Sequence, residues 1–204
     1  MSVPFQESLT MKNLMRAFAG ESQARNRYTF AAGVCRKQNL QVLEAVFLFT
    51  ADQEKEHAEV YNRHLAELNG SSVAVDGAYP VTWTNDALDL LQQAVHNEEQ
   101  EYADAYPAFA QVAQEEGFPQ VADSFRGIAE IEGLHSRRFR ALASLLEKKQ
   151  LFVSDVDCGW MCLNCGHIVH GKEAPKACPV CQHDQGYFIR LELAPYTCGP
   201  MLRG

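Results

Sequence analysis

Thr50-Ala-Asp-Gln-Glu54-Lys-Glu-His57 decides the fold, because its glutamate–histidine spacing is echoed along the chain. Glu132 is followed three residues later by His135, Glu98 three later by Glu101, and Glu21 stands alone. Residues three apart on an α-helix lie about 60° apart around the axis and about 5 Å apart along it, so each pair aims two side chains at one point. One Glu-x-x-His alone is ordinarily a solvated glutamate beside a surface histidine. The intervals make the pattern stronger. Glu21 to Glu54 is 33 residues and Glu98 to Glu132 is 34, while Glu21 to His57 is 36 and Glu98 to His135 is 37. The chain carries two copies of one unit: a helix with Glu, a turn, then a helix with Glu-x-x-His. Such a duplication suits a four-helix bundle closed around two metal ions, with an approximate two-fold axis between them.

Working outward, residues from about 9 to 37 and from about 40 to 68 read as the first two helices. Residues 71–84 lack a helical period and contain Gly77 and Pro80, as expected of a long crossover. Thr84 or Asn85 is the expected cap of a third helix running to about residue 116, with Pro107 kinking it from inside. A fourth helix is expected from about 119 to 149. Composition changes after Gln150, where cysteines, glycines and prolines cluster. The division expected is a bundle over 1–150 and a small β-rich domain over 151–204, whose core is too small to stand without a metal.

The 204 residues are 47% hydrophobic, enough for a real core, and the net charge of −8 argues against nucleic acid as a partner. Five ionised site carboxylates would be very costly to bury alone; two metal ions would neutralise most of that charge. The first ten residues lack the basic and apolar regions of a signal peptide, and no apolar run could span a membrane, so a soluble cytoplasmic protein is expected.

Cys162, Cys165, Cys178 and Cys181 form C-x2-C-x12-C-x2-C, a tetrahedral four-sulfur metal site. Spacing alone favours structural zinc, as in a zinc ribbon; the context weighs toward iron. Trp160, Ile168, Tyr187 and Phe188 could shield a redox iron, and a two-metal site on the same chain needs an electron source. Cys35, Cys158 and Cys198 remain and are expected to be reduced thiols.

Ala17-Phe-Ala-Gly-Glu21-Ser-Gln-Ala-Arg-Asn-Arg-Tyr28, Thr50 to His57, Glu98 to Tyr106-Pro107, Ile131 to His135 and the Cys162–Cys181 cluster together resemble rubrerythrin, over roughly residues 10–192. The resemblance implies a mainly α fold: a ferritin-like bundle with a non-haem di-iron centre, plus a rubredoxin-like domain with one iron held by four cysteines. It implies a head-to-tail homodimer or higher oligomer, and reduction of hydrogen peroxide to water in defence against oxidative stress. By position, the di-iron ligands would be Glu21, Glu54, Glu98, Glu101, Glu132 and His135, with His57 exchanging with Glu101 as the redox state changes. The residues agree with that exchange. Glu101 is one carboxylate beyond the common set of two glutamates and two Glu-x-x-His pairs, and a carboxylate suits ferric iron where an imidazole suits ferrous.

Tyr28 follows Glu21 by seven residues and Tyr106 follows Glu98 by eight, so both return to the ligand face as donors to ligand carboxylates. Two features depart from expectation. Gly133 sits inside the fourth helix, and Cys181 is followed by Gln182 where simple rubredoxins place glycine. No dinucleotide-binding glycine fingerprint occurs, so reducing power must come from a partner, a rubredoxin or an NAD(P)H-dependent rubredoxin reductase. Two other classes fit the same ligands: a ferritin-like iron-binding or ferroxidase protein, and a di-iron enzyme that reduces oxygen or oxidises a substrate.

Overall fold

The computed structural model describes residues 3–195. Helix α1 spans Leu9–Lys37, α2 Gln41–His64, α3 Ala87–Gln100, α4 Tyr106–Glu116 and α5 Pro119–Glu147, with a π-helical turn at Glu101–Ala105 joining α3 to α4. Ser8 starts α1, its hydroxyl accepting from the Met11 N–H at 3.0 Å. Glu116 at the far end of α4 adds bonds from the Leu9 and Thr10 amides at 2.9 and 2.8 Å. These acceptors satisfy amide donors that a helix start leaves open. Helix α2 ends earlier than its apolar pattern suggests. His64 is its last residue, and Ala66–Leu68 forms a separate 3-10 turn before Gly70, at φ 82°, reverses the chain. Asp86, not Thr84 or Asn85, caps α3, accepting from the Leu88 and Asp89 amides at 2.8 and 3.0 Å.

The expected third helix is divided. Its middle widens into the π-turn, and Pro107 falls in the first turn of α4, where a missing N–H is tolerated. A π-turn houses one residue more than an α-turn. That extra residue explains why Glu98 to Tyr106 is eight residues where Glu21 to Tyr28 is seven, and why the second repeat is longer by one.

Helix α1 packs along α2, and α5 along α3 and α4; residues 69–86 make the crossover between the two hairpins. The apolar core falls into two clusters. One holds Tyr28, Leu43, Phe47, Leu91 and Phe139; the other holds Leu14, Tyr61, Tyr106, Ala113 and Phe125. Along every long helix the polar site residues sit between them: Ala17, Glu21, Ala24 on α1, and Ala129, Glu132, His135, Phe139 on α5. Burying each large side chain contributes about 1.5–3 kcal/mol, and this apolar packing is what can hold a charged layer in the interior. No helix among the described residues is long and apolar enough to cross a membrane.

Three short strands follow: β1 Val153–Cys162, β2 Ile168–Glu173 and β3 Phe188–Arg190, antiparallel in the order β2-β1-β3. Their core is Trp160, Cys162, Ala174, Cys178 and Phe188. The Trp160 indole donates to the Gly171 carbonyl at 2.9 Å. This unit rests on the bundle. Ile189 joins the first bundle cluster, and Gly186 lies directly against the Asn39 carbonyl in the α1–α2 turn.

Candidate metal centre

Helix α1 supplies Glu21, α2 supplies Glu54 and His57, α3 supplies Glu98, and α5 supplies Glu132 and His135. All six are buried, none more than 6% exposed. They form two overlapping groups, each with ligand atoms within 4.8 Å of one another: Glu21, Glu54, His57 and Glu132, and Glu54, Glu98, Glu132 and His135. Glu54 and Glu132 belong to both, as carboxylates bridging two metal ions would. His57 Nδ1 lies 2.9 Å from Glu132 and 3.1 Å from Glu54. His135 Nδ1 lies 2.8 Å from Glu132 and 3.0 Å from Glu54. The two rings stack nearly parallel with centroids 5.7 Å apart, as the two-fold repeat requires.

The electrostatics are those of ligands without their cation. Burial pushes the Glu21 carboxyl well above its ordinary range, reinforced by Glu132; burial and Glu54 do the same to Glu98. Glu54 goes the other way: burial opposes its charge, but hydrogen bonds from His135 and His57 hold it down to about 2. Burial likewise opposes charge on His135, yet Glu132, Glu54 and Glu98 push it up to about 11. His57 is raised in the same way, chiefly by Glu132 and Glu21. Several inward atoms stand in these close contacts, or in none, without a well-directed hydrogen bond: Glu21 Oε2, Glu54 Oε1, Glu98 Oε2, both Glu132 oxygens and His135 Nδ1. Orphaned buried carboxylate oxygens are costly. A shared set of hard oxygens and imidazole nitrogens converging on one point fits two iron ions.

Glu101 stands apart. It opens the π-turn, is half-buried and belongs to neither group. Burial, then Glu21 and Glu98, push its carboxyl up. The tyrosines are placed as donors: Tyr28 hydroxyl donates to Glu98, and Tyr106 hydroxyl to Glu21. The bonds cross the bundle reciprocally, so each half of the repeat holds a ligand of the other. Glu56, Glu59, Glu99 and Glu130 are exposed, as their helix faces predict.

Three participants escape a reading of carboxylates and histidines. Gln53 Oε1 lies 3.1 Å from His135 Nε2 and accepts from Arg138 at 3.2 Å; Arg138 also donates to Thr50 Oγ1 at 3.1 Å. An N–H at Nε2 leaves Nδ1 free to face the metals. The signal was Arg138, three residues beyond His135. Tyr61, fully buried, packs its ring 5.6 Å from Tyr106 and 5.0 Å from Phe125; its signal was its place four residues after His57.

In the small domain Cys162, Cys165, Cys178 and Cys181 converge within 4.8 Å, with Cys162–Cys181 at 3.7 Å and Cys165–Cys178 at 3.6 Å. Each pair sits on a tight loop: Gly166 N–H bonds to the Cys162 carbonyl, and Gln182 N–H to the Cys178 carbonyl, at 2.8 and 2.9 Å. Gly166 takes φ 77° and Gln182 φ 61°. Gln182 thus adopts a left-handed geometry that glycine takes freely, a strain of about 1 kcal/mol for a residue with a Cβ. The backbone N–H of His183 draws the Cys181 thiol down to about 6, leaving a thiolate ready for metal. His167 and His170 join no metal group. Cys35 is buried in the bundle, where desolvation pushes its thiol up to about 12; Cys158 is half-buried beside Gly171. Cys198 lies outside the described residues.

The chain matches the rubrerythrin family over residues 12–143 and the rubrerythrin rubredoxin-like domain over 160–189. It belongs to the rubrerythrin family. It is 42% identical to the rubrerythrin of Porphyromonas gingivalis over 188 residues, covering 92% of each chain. It is 46% identical to that of Clostridium perfringens over 180 residues, covering 88% of this chain and 92% of the other. Among solved structures, mixed-valent nigerythrin superimposes with a TM-score of 0.60 at 28% identity, over 93% of this chain and 88% of that one. A Desulfovibrio desulfuricans bacterioferritin superimposes with a TM-score of 0.62 at 23% identity, over 69% and 81%, a likeness of fold alone. The bundle is therefore the ferritin-like di-iron domain of a rubrerythrin, and the cysteine domain its rubredoxin-like iron site.

Proposed function

We propose that this rubrerythrin is a peroxidase that reduces hydrogen peroxide to water, with its four-cysteine iron site passing electrons to the di-iron site. The observation that carries the reading is the surplus ligand: His57 faces Glu21, Glu54 and Glu132, while Glu101 stands outside both groups on the π-turn. Glu21, Glu54, Glu98, Glu132 and His135 would hold the two irons, with His57 and Glu101 alternating at one of them. An exchange of neutral imidazole for carboxylate matches ligand charge to a metal that changes charge. A ferroxidase that only stores iron would leave the cysteine site without a task.

When bound, the irons supply one electron each and a Lewis-acid surface, so that peroxide takes two electrons and two protons and leaves as two waters. The chain's own groups do the rest. Tyr28 and Tyr106 hydroxyls fix Glu98 and Glu21. The Gln53–His135 contact fixes the imidazole tautomer. Glu101, half-buried and raised toward its protonated form, is placed to hold a proton at its carboxyl and pass it inward. We assign the primary electrons to a rubredoxin or an NAD(P)H-dependent rubredoxin reductase, the location to the cytoplasm, and the assembly to a head-to-tail homodimer or higher oligomer.

The test is to mix the anaerobically reduced protein with stoichiometric peroxide and, separately, with oxygen. The di-iron absorbance is expected to reoxidise faster with peroxide, with turnover sustained by a rubredoxin reductase system. Faster reaction with oxygen, or zinc in the cysteine site, overturns the reading.

A further inference from the structure

A cavity of about 220 Å³ lies between the crossover, α1 and the π-turn, with Glu101 and Tyr106 in its wall. Two observations mark it as more than loose packing. Asn97 lines it and is only 8% exposed, yet its side-chain amide has no hydrogen-bond partner among the described residues. That amide is left to whatever polar molecule occupies the cavity. The second is the construction of the cover. Tyr79 lies over Gly20, the residue before Glu21; a Cβ on Gly20 would sit 3.6 Å from the ring, and one on Gly77 would sit 2.8 Å from it. The Tyr79 hydroxyl donates to the Arg16 carbonyl at 2.9 Å. Arg16 in turn grips the crossover through the Asp76 carbonyl at 3.1 Å and its carboxylate at 2.6 Å. Asp76 is almost fully exposed, so this outer clasp is weak. The ring is thus a half-buried plate held by one hydroxyl and a weak clasp.

We propose that this cavity is the portal by which a small hydroperoxide reaches the Glu101 side of the metal site, and that Tyr79 sets the size of molecule admitted. The identity of the guest rests on the peroxidase reading; the portal does not. Hydrogen peroxide, two linked oxygens with a donor and acceptors at each, suits a small cavity that has both the Asn97 amide and the Glu101 carboxyl in its wall. An aryl hydroperoxide does not pass the ring.

Three variants test it: Tyr79→Ala removes the plate, Tyr79→Phe removes its latch, and Ala78→Trp adds bulk at the exposed mouth. Two readouts are taken. One is the stopped-flow rate at which azide binds the oxidised, iron-loaded protein; the other is kcat/KM for hydrogen peroxide and for cumene hydroperoxide. Azide binding should be about tenfold faster in Tyr79→Ala and about tenfold slower in Ala78→Trp, with Tyr79→Phe between wild type and Tyr79→Ala. The preference for hydrogen peroxide over cumene hydroperoxide should fall about tenfold in Tyr79→Ala. Azide rates within about twofold of wild type in both Tyr79→Ala and Ala78→Trp, at full iron content and unchanged helical circular dichroism, overturn the proposal. Should Tyr79→Ala fail to fold, Ala78→Trp on its exposed residue decides. If wild type does not consume peroxide, the peroxidase reading falls, while the azide rates still judge the portal.

Discussion

Tyr106 shows how much of this site rests on single hydroxyls. Replacing it with phenylalanine leaves one more Glu21 oxygen unpartnered in the interior. Tyr106→Phe should weaken ferrous binding about 10- to 100-fold, read by anaerobic metal titration, with the helices intact. Protonation sets a second expectation. His135, raised to about 11 from an ordinary 6.5, stabilises the metal-free fold fully below 6.5 and loses that contribution as pH rises toward 11. Glu54, held at about 2 against 4.5, contributes above 4.5 and loses it as pH falls through 2. The metal-free bundle should therefore be most stable in mildly acid solution and weaken above neutrality. Metal must displace the imidazole protons, so the stabilisation by iron should grow with pH. Melting temperatures of both forms at acid, neutral and alkaline pH check this; a gain independent of pH would contradict it. At this scale the carboxylates and histidines were legible because ligand spacing on a helix is rigid. Gln53 and Arg138 were not, because a polar residue's partner across the bundle leaves no mark in its own helix.

Among elements, the π-turn carries the asymmetry of the molecule. The sequence held its trace as a one-residue difference between the two repeats, but a count does not say where the residue is absorbed. Pro107 drew attention to a kink, whereas the helix widened ahead of it and put Glu101 at the first position of the wider turn. Gly133 belongs to the same arrangement. A Cβ there would stand 3.0 Å from the Tyr102 ring of the π-turn. Tyr102 is 45% exposed and can retreat toward water. Gly133→Ala should thus stay within about 1 kcal/mol of wild type in denaturant melts, helix propensity offsetting the contact. Gly133→Leu should be clearly destabilising, because the π-turn itself must then move. Asp86→Ala removes both bonds of the α3 cap and should cost about 1 kcal/mol in the same melts. Helix positions were readable from periodicity; the α3 cap was misassigned by one or two residues because Thr84, Asn85 and Asp86 are all competent capping types.

For the whole molecule, the two metal sites stabilise unequal bodies. The bundle has two apolar clusters on either side of its metal site, whereas the small domain has a core of five buried residues, two of which are the metal-site cysteines Cys162 and Cys178. Removing iron from the cysteine site should unfold the small domain and leave the helices. Trp160 is buried and Trp83 is 91% exposed, so the readout is a red shift of tryptophan emission with helical circular dichroism retained. Loss of both together would show that the bundle depends on the smaller body. The place where that body rests was not legible in the sequence, since neither Asn39 nor Gly186 belongs to a periodic pattern. Yet their contact has a consequence for anyone building chimaeras from such proteins. The small domain is joined to the bundle by peptide after α5, by Ile189 in the first apolar cluster, and by a backbone face that admits no side chain. A transplanted rubredoxin with alanine at position 186 would be wedged off its seat, and its iron would ride at a different distance from the bundle.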